Sequence, residues 1–398
     1  MFRNISLFIR YLQSFKERKR MLRTFSTWHQ QQQHLHNNKL SEPKLLLIIR
    51  LDDVGDYLLF RNSLSLYKQS VKWKDYKIHL LGNIAWKGLF ETYDTDAVDA
   101  SIWIKKADYF NDKNYRNDAW KQLRGAGYDT VICPSHTRPL LLDDLCMLAT
   151  AAPIRIASPN TYKYPEWNTL SDSFYTSLFP LHELMHEFNF NEKFASWCTG
   201  VSSVLFRPYL NVSKLNPLQK NYILCFIGSN AKSRRWPSER WVEFIEMIKK
   251  NYACNIVIAY GSNEKTLAAQ IKEKTIVHSL DETVSLPELA KWLAAADIVI
   301  SNNTMAVPMA VSCDKPVIII ANGDHFYNCN EYKKAGIENV TTLYPKVFLS
   351  YWKKKNYQPF QHYIAVTKDI ATIQAVTVFN AFKEIATQNN IHAKDTGQ

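Results

Sequence analysis

Long apolar runs are missing from this 398-residue chain: none approaches the about 18 residues that a bilayer-crossing helix needs. The N-terminus also lacks the unbroken apolar core and small-residue cleavage site of a secretory signal. Its seven cysteines, Cys133, Cys146, Cys198, Cys225, Cys254, Cys313 and Cys329, are an odd number with no C-x-x-C pair. That argues against a disulfide framework, a zinc ribbon or thiol redox chemistry. The expectation is a reducing cytoplasm and mostly buried thiols. No module of interleaved basic and aromatic residues is present, so nucleic acid is not an expected partner. What is present is ordinary globular material, 46% hydrophobic and 22% charged, enough for real cores and, at this length, for two or three domains. Lysine and arginine number 49 against 37 acidic residues, a net charge of +12 that favours polyanionic partners.

Residues 1–40 stand apart. Arg3, Arg10, Lys16, Arg18, Lys19, Arg20 and Arg23 surround Ile5, Phe8, Ile9, Leu12 and Phe15 at helical spacing, a basic amphipathic helix. Residues 1–24 could rest on an anionic membrane surface, gaining about 1 kcal/mol per basic residue, or pack on the protein's own body. The tract Gln30-Gln31-Gln32-Gln33 reads as a polar linker.

From Lys44 onward, apolar runs of strand length alternate with helical patterns: Leu45–Ile49, Ile78–Leu81, Ser101–Ile104 and Thr130–Cys133. After a Pro-containing break at Arg207–Lys220, the grammar resumes with Tyr222–Ile227, Asn255–Ile258, Ile298–Ile300 and Val317–Ile320. Continuous apolar strands covered by helices mean parallel sheets. The predicted division is 41–206 and 207–365, two doubly wound α/β domains, with 366–398 as a closing helix and tail. Ligands of such sheets bind beyond the carboxyl ends of the strands, here in an interdomain cleft.

Four strand-to-helix turns can carry chemistry. Arg50-Leu51-Asp52-Asp53-Val54-Gly55-Asp56 places three carboxylates at a strand end. Gly55 permits a tight or left-handed backbone, and Asp56 either caps the helix or faces the cleft as a base. Its D-D-x-x-D spacing matches a Mg-diphosphate pattern of terpenoid synthases, but those motifs lie within helices of all-α proteins. The turn from Ile227 to Glu239 gathers Ser229, Asn230, Lys232, Arg234 and Arg235, a diphosphate cradle or a solvated basic loop. It is not a P-loop. Asn303 and Thr304 could present polar groups to a phosphate or sugar, and in Tyr260-Gly261-Ser262-Asn263-Glu264 a carboxylate could accept from ribose hydroxyls. Ser285-Leu286-Pro287-Glu288 reads as a capping box. A competing motif is His182-Glu183-Leu184-Met185-His186, a literal H-E-x-x-H that on a helix would bind zinc through His182 and His186 with Glu183 as base.

Taken in order, these landmarks resemble glycosyltransferase family 9, the ADP-heptose:lipopolysaccharide heptosyltransferase family, from about Lys44 to Val376. They are Ile49–Tyr57, Gly127–Ile132, a His182-Glu183 helix, Arg235-Trp236-Pro237, Tyr260–Glu264, Ser285–Leu289, and Asn302-Asn303-Thr304 through Lys315-Pro316-Val317. The resemblance implies a GT-B fold and inverting sugar transfer from a nucleotide-diphosphate sugar, an ADP-sugar favoured, without a metal or other cofactor. It implies that Asp56 is the base, that Arg234 stands for a phosphate-binding lysine, that Asn263 or Glu264 contacts ribose, and that Thr304 supplies a phosphate-turn hydroxyl. Asp53, Gly55 and Arg61 fall on the acceptor side. The family's Asp-Ser/Thr-Gly-x-x-His turn becomes Asn303-Thr304-Met305-Ala306-Val307-Pro308 here.

The expected protein is therefore a hexosyl- or heptosyltransferase acting on lipopolysaccharide or a related cell-envelope glycan. It would sit in the cytoplasm, peripheral to the inner face of the membrane, with the closing helix Asp369–Thr387 crossing back to brace the first domain. The alternatives are a catalytically silent paralogue that binds anionic glycolipid, and a zinc hydrolase.

Overall fold

The structure, a computed structural model, describes residues 2–35, 39–161, 165–183, 185–202, 205–212, 222–280, 283–354, 368–389, 391, 393 and 394, with side chains from Lys16 onward except at 165, 327–328 and 351–354. Twelve strands form two all-parallel sheets. The first holds β1 (Lys44–Arg50), β2 (Tyr76–Asn83), β3 (Ala100–Ile104), β4 (Thr130–Cys133), β5 (Ile154–Ala157) and β6 (Ser177–Leu178) in the order β3-β2-β1-β4-β5-β6. The second holds β7 (Tyr222–Phe226), β8 (Asn255–Ala259), β9 (His278–Ser279), β10 (Ile298–Asn302), β11 (Val317–Ile320) and β12 (Val340–Leu343) in the order β12-β11-β10-β7-β8-β9. Read outward from its first strand, each sheet has the same doubly wound topology, with the switch point between β1 and β4 or between β7 and β10. Two such domains make a GT-B fold, as the sequence leads one to expect.

The long apolar runs become the central strands because both of their faces are covered. Residues Leu46 to Ile49, Val299 to Ile300 and Val317 to Ile320 are fully buried. Five of the seven cysteines are buried and Cys254 and Cys329 are half-buried, all as free thiols.

The two domains meet through helices that present apolar faces to one another. Helix Val54–Phe60 packs on Ala306–Ser312, and helix Lys87–Tyr93 packs on Leu286–Ala295. One buried apolar cluster therefore runs from Leu46 and Trp86 in the first domain to Leu289 and Val307 in the second. Tyr57 stacks on Trp86 with ring centroids 4.0 Å apart and planes 2° from parallel. Gly82 makes room for this pair, since a Cβ there would lie 2.4 Å from the Trp86 ring. The helix that carries Asp56 is thereby fixed.

Two expectations about the chain's ends are corrected. The Gln30–Gln33 tract is no linker: the first helix runs unbroken over Phe2–Gln33, because its second half has a face to bury. Phe25 is buried, Gln32 Nε2 donates to the Leu145 carbonyl at 2.8 Å, and the Arg116 guanidinium lies 3.7 Å from the Trp28 ring centroid. The start of the break at Arg207–Lys220 is irregular chain and is pinned to the second domain: Leu210 is fully buried, its N–H donates to the Ser312 carbonyl at 2.8 Å, and Arg207 pairs with Asp314. Residues 213–220 of that break lie outside the described residues. The closing helix, Ala375–Gln388, does not cross back to the first domain. It packs on helix Ser238–Asn251 and β11 of the second, with Phe382 against Phe244 and Tyr252.

Candidate active site

The turns after β1, β7 and β10 converge. Asp53, Val54, Gly55, Asp56, Leu59 and Ala85 from the first domain share a cavity of about 300 Å³ with Ser229, Asn230, Arg234, Asn303, Thr304, Met305, Val307, Pro308, His325, Cys329 and Tyr332 from the second. This is the doubly wound address on both sides of one cleft.

Asp56 stands at the third position of helix Val54–Phe60, whose N-cap is Asp53, and its Oδ2 accepts the Asp53 N–H at 3.3 Å. The side chain both caps the helix and lines the cleft. Desolvation pushes its carboxyl up to about 6; the Glu187 charge adds to this, while the Arg50 guanidinium opposes it. A carboxylate with a midpoint near neutrality is suited to taking a proton. Asp53 is exposed and pairs with Lys106 at 2.8 Å. Gly55 is helical and not left-handed. Its Cα faces the opposite domain, where a Cβ would stand 3.5 Å from Pro308 Cγ and 3.7 Å from Met305 Cα.

On the second-domain side, Arg234 reaches Asp324 through Nε at 2.8 Å and Nη2 at 2.7 Å, and its Nη2 lies 3.2 Å from His325 Nε2. Asn303 Nδ2 donates to the Asp324 carbonyl at 3.2 Å. The neighbouring Asn302 ties the turns together, accepting Trp236 N–H at 3.2 Å and donating to the Ile227 carbonyl at 2.6 Å.

Other expected residues stand elsewhere. Arg235 and Glu264 do not line the cavity. Arg235 Nη2 pairs with Glu264 Oε1 at 2.5 Å, and Glu264 Oε2 accepts Gly261 N–H at 3.1 Å. Gly228 accommodates this carboxylate, because a Cβ there would meet Glu264 Oε2 at 2.8 Å. Glu264 is buried, and its oxygens hold two turns together. Lys232 and Asn263 are exposed outside the cavity wall. Arg61 does not line this cavity. Its guanidinium forks onto Asp94 at 2.8 and 2.7 Å and donates to the Tyr209 carbonyl, pinning the interdomain segment.

The H-E-x-x-H motif loses its geometric premise. His182 and Glu183 are in non-helical chain, Leu184 lies outside the described residues, and the helix begins only at Glu187. His186 is its N-cap, with Nδ1 accepting Phe188 N–H at 3.3 Å and the ring 4.6 Å from that of Tyr332. Burial drives its midpoint down to about 4. No cluster of three or more metal-ligating side chains occurs among the described residues. The D-D-x-x-D spacing likewise straddles a loop and a helix start, not a helix interior.

Sequence reasoning missed Arg50, Glu187, Asp324, His325 and Tyr332. The signal for Asp324 and His325 was available, since Asn322-Gly323-Asp324-His325 follows β11 at the same strand-end address as the other turns.

Residues 179–321 match the model of glycosyltransferase family 9 (heptosyltransferase). No curated protein matches this chain. Among solved structures, a family 9 glycosyl transferase from Veillonella parvula is similar at 15% identity and TM-score 0.63, covering 89% of this chain and 100% of its own. E. coli heptosyltransferase WaaC, solved with ADP-2-deoxy-2-fluoro heptose, is similar at 16% identity and TM-score 0.62, covering 85% and 99%. E. coli ADP-heptose lps heptosyltransferase II is similar at 12% identity and TM-score 0.57, covering 87% and 99%. The solved structures share the two-domain fold, and the stretch that matches the family model contains Ser229, Arg234, Asn303 and Thr304 of the cavity.

Proposed function

We propose that this protein is a glycosyltransferase that moves a heptose or related sugar, with inversion, from an ADP-type nucleotide-diphosphate donor to a lipopolysaccharide or similar envelope saccharide. The observation that carries the reading is the sharing of one cavity by the raised-midpoint carboxyl of Asp56 and the polar turn of Ser229, Asn230, Arg234, Asn303 and Thr304. Asp56 accepts the proton of an acceptor hydroxyl as its oxygen bonds to the anomeric carbon. On the opposite face, the bond from that carbon to the diphosphate oxygen breaks, and the electron pair leaves with the nucleotide diphosphate. Arg234 and the hydroxyl and amide donors around it stabilise the charge that develops there, with the exposed Lys232 adding to the local positive field. Arginine charge in this role makes the transfer independent of a metal ion.

A positioned base contributes typically ~10²–10⁴-fold, and donors aimed at the leaving group a comparable or larger factor. The acceptor would be met at the inner face of the cytoplasmic membrane, where exposed Lys16, Arg20 and Arg23 on the first helix offer positive charge. No helix among the described residues is long and apolar enough to cross a membrane.

The test is calorimetric titration with ADP, UDP, GDP and their sugars, with metal content measured on the same sample, followed by turnover of Asp56→Asn. Binding of one nucleotide class and loss of turnover with binding retained are expected. Nucleotide binding without turnover in the wild type would favour a silent, glycolipid-binding paralogue; wild-type turnover in Asp56→Asn would remove the base assignment.

A further inference from the structure

Asp56 does not stand alone: its turn is held by a buried polar relay that reaches across the first sheet. Arg50, the last residue of β1, is fully buried. Its Nε meets Asp52 Oδ2 at 2.7 Å, its Nη1 donates to the Pro134 carbonyl and to Asn191 Oδ1 at 3.0 Å, and its Nη2 donates to Glu187 Oε1 at 2.8 Å. The same Nη2 lies 3.4 Å from the Asp56 carbonyl oxygen. Glu187 is buried too. Its Oε1 also receives Asn191 Nδ2 at 3.3 Å, and its Oε2 faces His136 Nε2 at 2.7 Å, the imidazole lying against Phe190.

Such an arrangement is costly to build for stability alone, because an apolar filling of the same volume often serves a fold as well as a buried ion pair does. Every side chain in it comes from the switch point of the sheet or from the helix laid across it: Arg50 from β1, His136 from the turn after β4, Glu187 and Asn191 from helix Glu187–Thr199. That helix packs directly on helix Val54–Phe60, which carries Asp56.

We propose that Glu187 is a positioning residue of the transfer: through Arg50 it fixes the turn that aims Asp56 into the cleft, and its own charge keeps the Asp56 carboxylate a competent base. This deepens the proposed role of Asp56 and rests on it. Glu187 is not among the residues that line the cavity, whereas the Nη2 of its partner Arg50 reaches the backbone of Asp56 itself. The charged and titratable groups that face Asp56 are Asp52 and Asp53 in its own turn, Arg50 on β1, Glu187 on the crossing helix, and Arg234, His325, Cys329 and Tyr332 from the second domain. Glu187 is the largest like charge among them. Glu187 in turn is faced by His136, Arg50 and His186, which hold its carboxyl below the usual range and so keep it ionised.

The test is a carbon-13 carboxyl titration by NMR on aspartate-labelled protein, with Asp56→Asn used only to assign the resonance. Wild-type Asp56 should titrate near 6. Glu187→Gln removes one negative neighbour and frees Arg50 to act on Asp56, so the midpoint should fall by about one pH unit or more. Glu187→Asp keeps the charge but withdraws it by one methylene, and a smaller fall is expected. A purely structural glutamate would alter the unfolding midpoint and leave the Asp56 titration where it was; an unmoved titration in whichever variant folds overturns the assignment. The turnover of Asp56→Asn is read separately. Loss of turnover with an unmoved titration sinks only this inference, and retained turnover sinks the base reading whatever the titration shows.

Discussion

Arg235 and Glu264 neutralise each other, Nη2 to Oε1 at 2.5 Å, across the turns that follow β7 and β8. Arg235 Nε also donates to the Ser229 carbonyl at 2.7 Å, so the pair shapes the donor turn from behind without entering it. Glu264→Ala would leave a partly buried guanidinium unpaired and a void beside Gly228. The expected cost is about 3 kcal/mol, read as a lower denaturation midpoint. Glu264→Gln should leave nucleotide affinity within a few-fold of wild type; a large loss of affinity at unchanged stability would establish Glu264 as a ribose contact.

Gly55 offers a sharper steric test. Its helical backbone needs no glycine, and a Cβ would find ordinary contacts at 3.5 to 3.9 Å with Pro308 and Met305. Gly55→Ala should therefore be neutral or stabilising by up to about 1 kcal/mol, the usual helix-interior gain. Gly55→Leu should instead drive into the Met305–Pro308 turn, lowering the thermal midpoint and obstructing the cleft. If Gly55→Ala proves strongly destabilising, the close approach of the two domains at this point is wrong.

The contrast between these two sites marks what the sequence makes legible. Strands such as Leu45–Ile49 and Val317–Ile320 announce themselves because both faces are buried and nothing polar interrupts them. β6 and β9 have two residues each, and β5 and β12 carry Arg155, Thr341 and Thr342 in their alternation, so no apolar run exists to be read. Turns after central strands are equally legible, and Asp56, Ser229, Arg234, Asn303 and Thr304 do meet in one cavity. Which cations stay available is not legible, because that depends on partners distant in the chain: Asp94 for Arg61, Glu264 for Arg235, Asp324 for Arg234. Glu187 was masked by its neighbours, since the H-E-x-x-H pattern draws the eye to Glu183 while the helix starts four residues later.

Asp56 should weaken the fold it serves. Its carboxyl titrates near 6 in the folded protein against an ordinary 3.8, so the folded state holds this proton more tightly than the unfolded chain does. The contribution is favourable below about pH 4 and is lost as pH rises toward 6. Above that, the ionised carboxylate is a burden that Asp56→Asn relieves. The variant should melt at a higher temperature than wild type at pH 7, with the difference shrinking toward pH 4. Equal melting temperatures at both pH values would mean that the carboxyl is not perturbed.

Arg234 is the cation placed to meet a diphosphate, and Asp324 holds its fork in orientation. A charge-assisted hydrogen bond of this type contributes about 1.5–3 kcal/mol, so Arg234→Gln should weaken ADP binding by roughly ten- to a hundredfold. The loss should be smaller for AMP, which lacks the second phosphate, and smaller for adenosine still. Equal losses for all three ligands in calorimetry would assign Arg234 to the shape of the site and not to phosphate.

The first helix divides its labour by face. Phe25, Trp28 and Gln32 anchor it to the first domain, and Arg18 bridges to Glu166, while Lys16, Arg20 and Arg23 remain on the exposed side. Neutralising those three residues to glutamine should therefore spare the thermal midpoint. Binding to phosphatidylglycerol-containing vesicles, followed by flotation, should fall by roughly a hundredfold at about 1 kcal/mol per cation; neutral phosphatidylcholine vesicles should show no difference between variant and wild type. Trp28→Ala should do the reverse, loosening the helix from Arg116 and lowering stability while its surface charge stays in place. Unchanged flotation in the triple variant would mean that this helix serves the fold and that the acceptor is met by another surface.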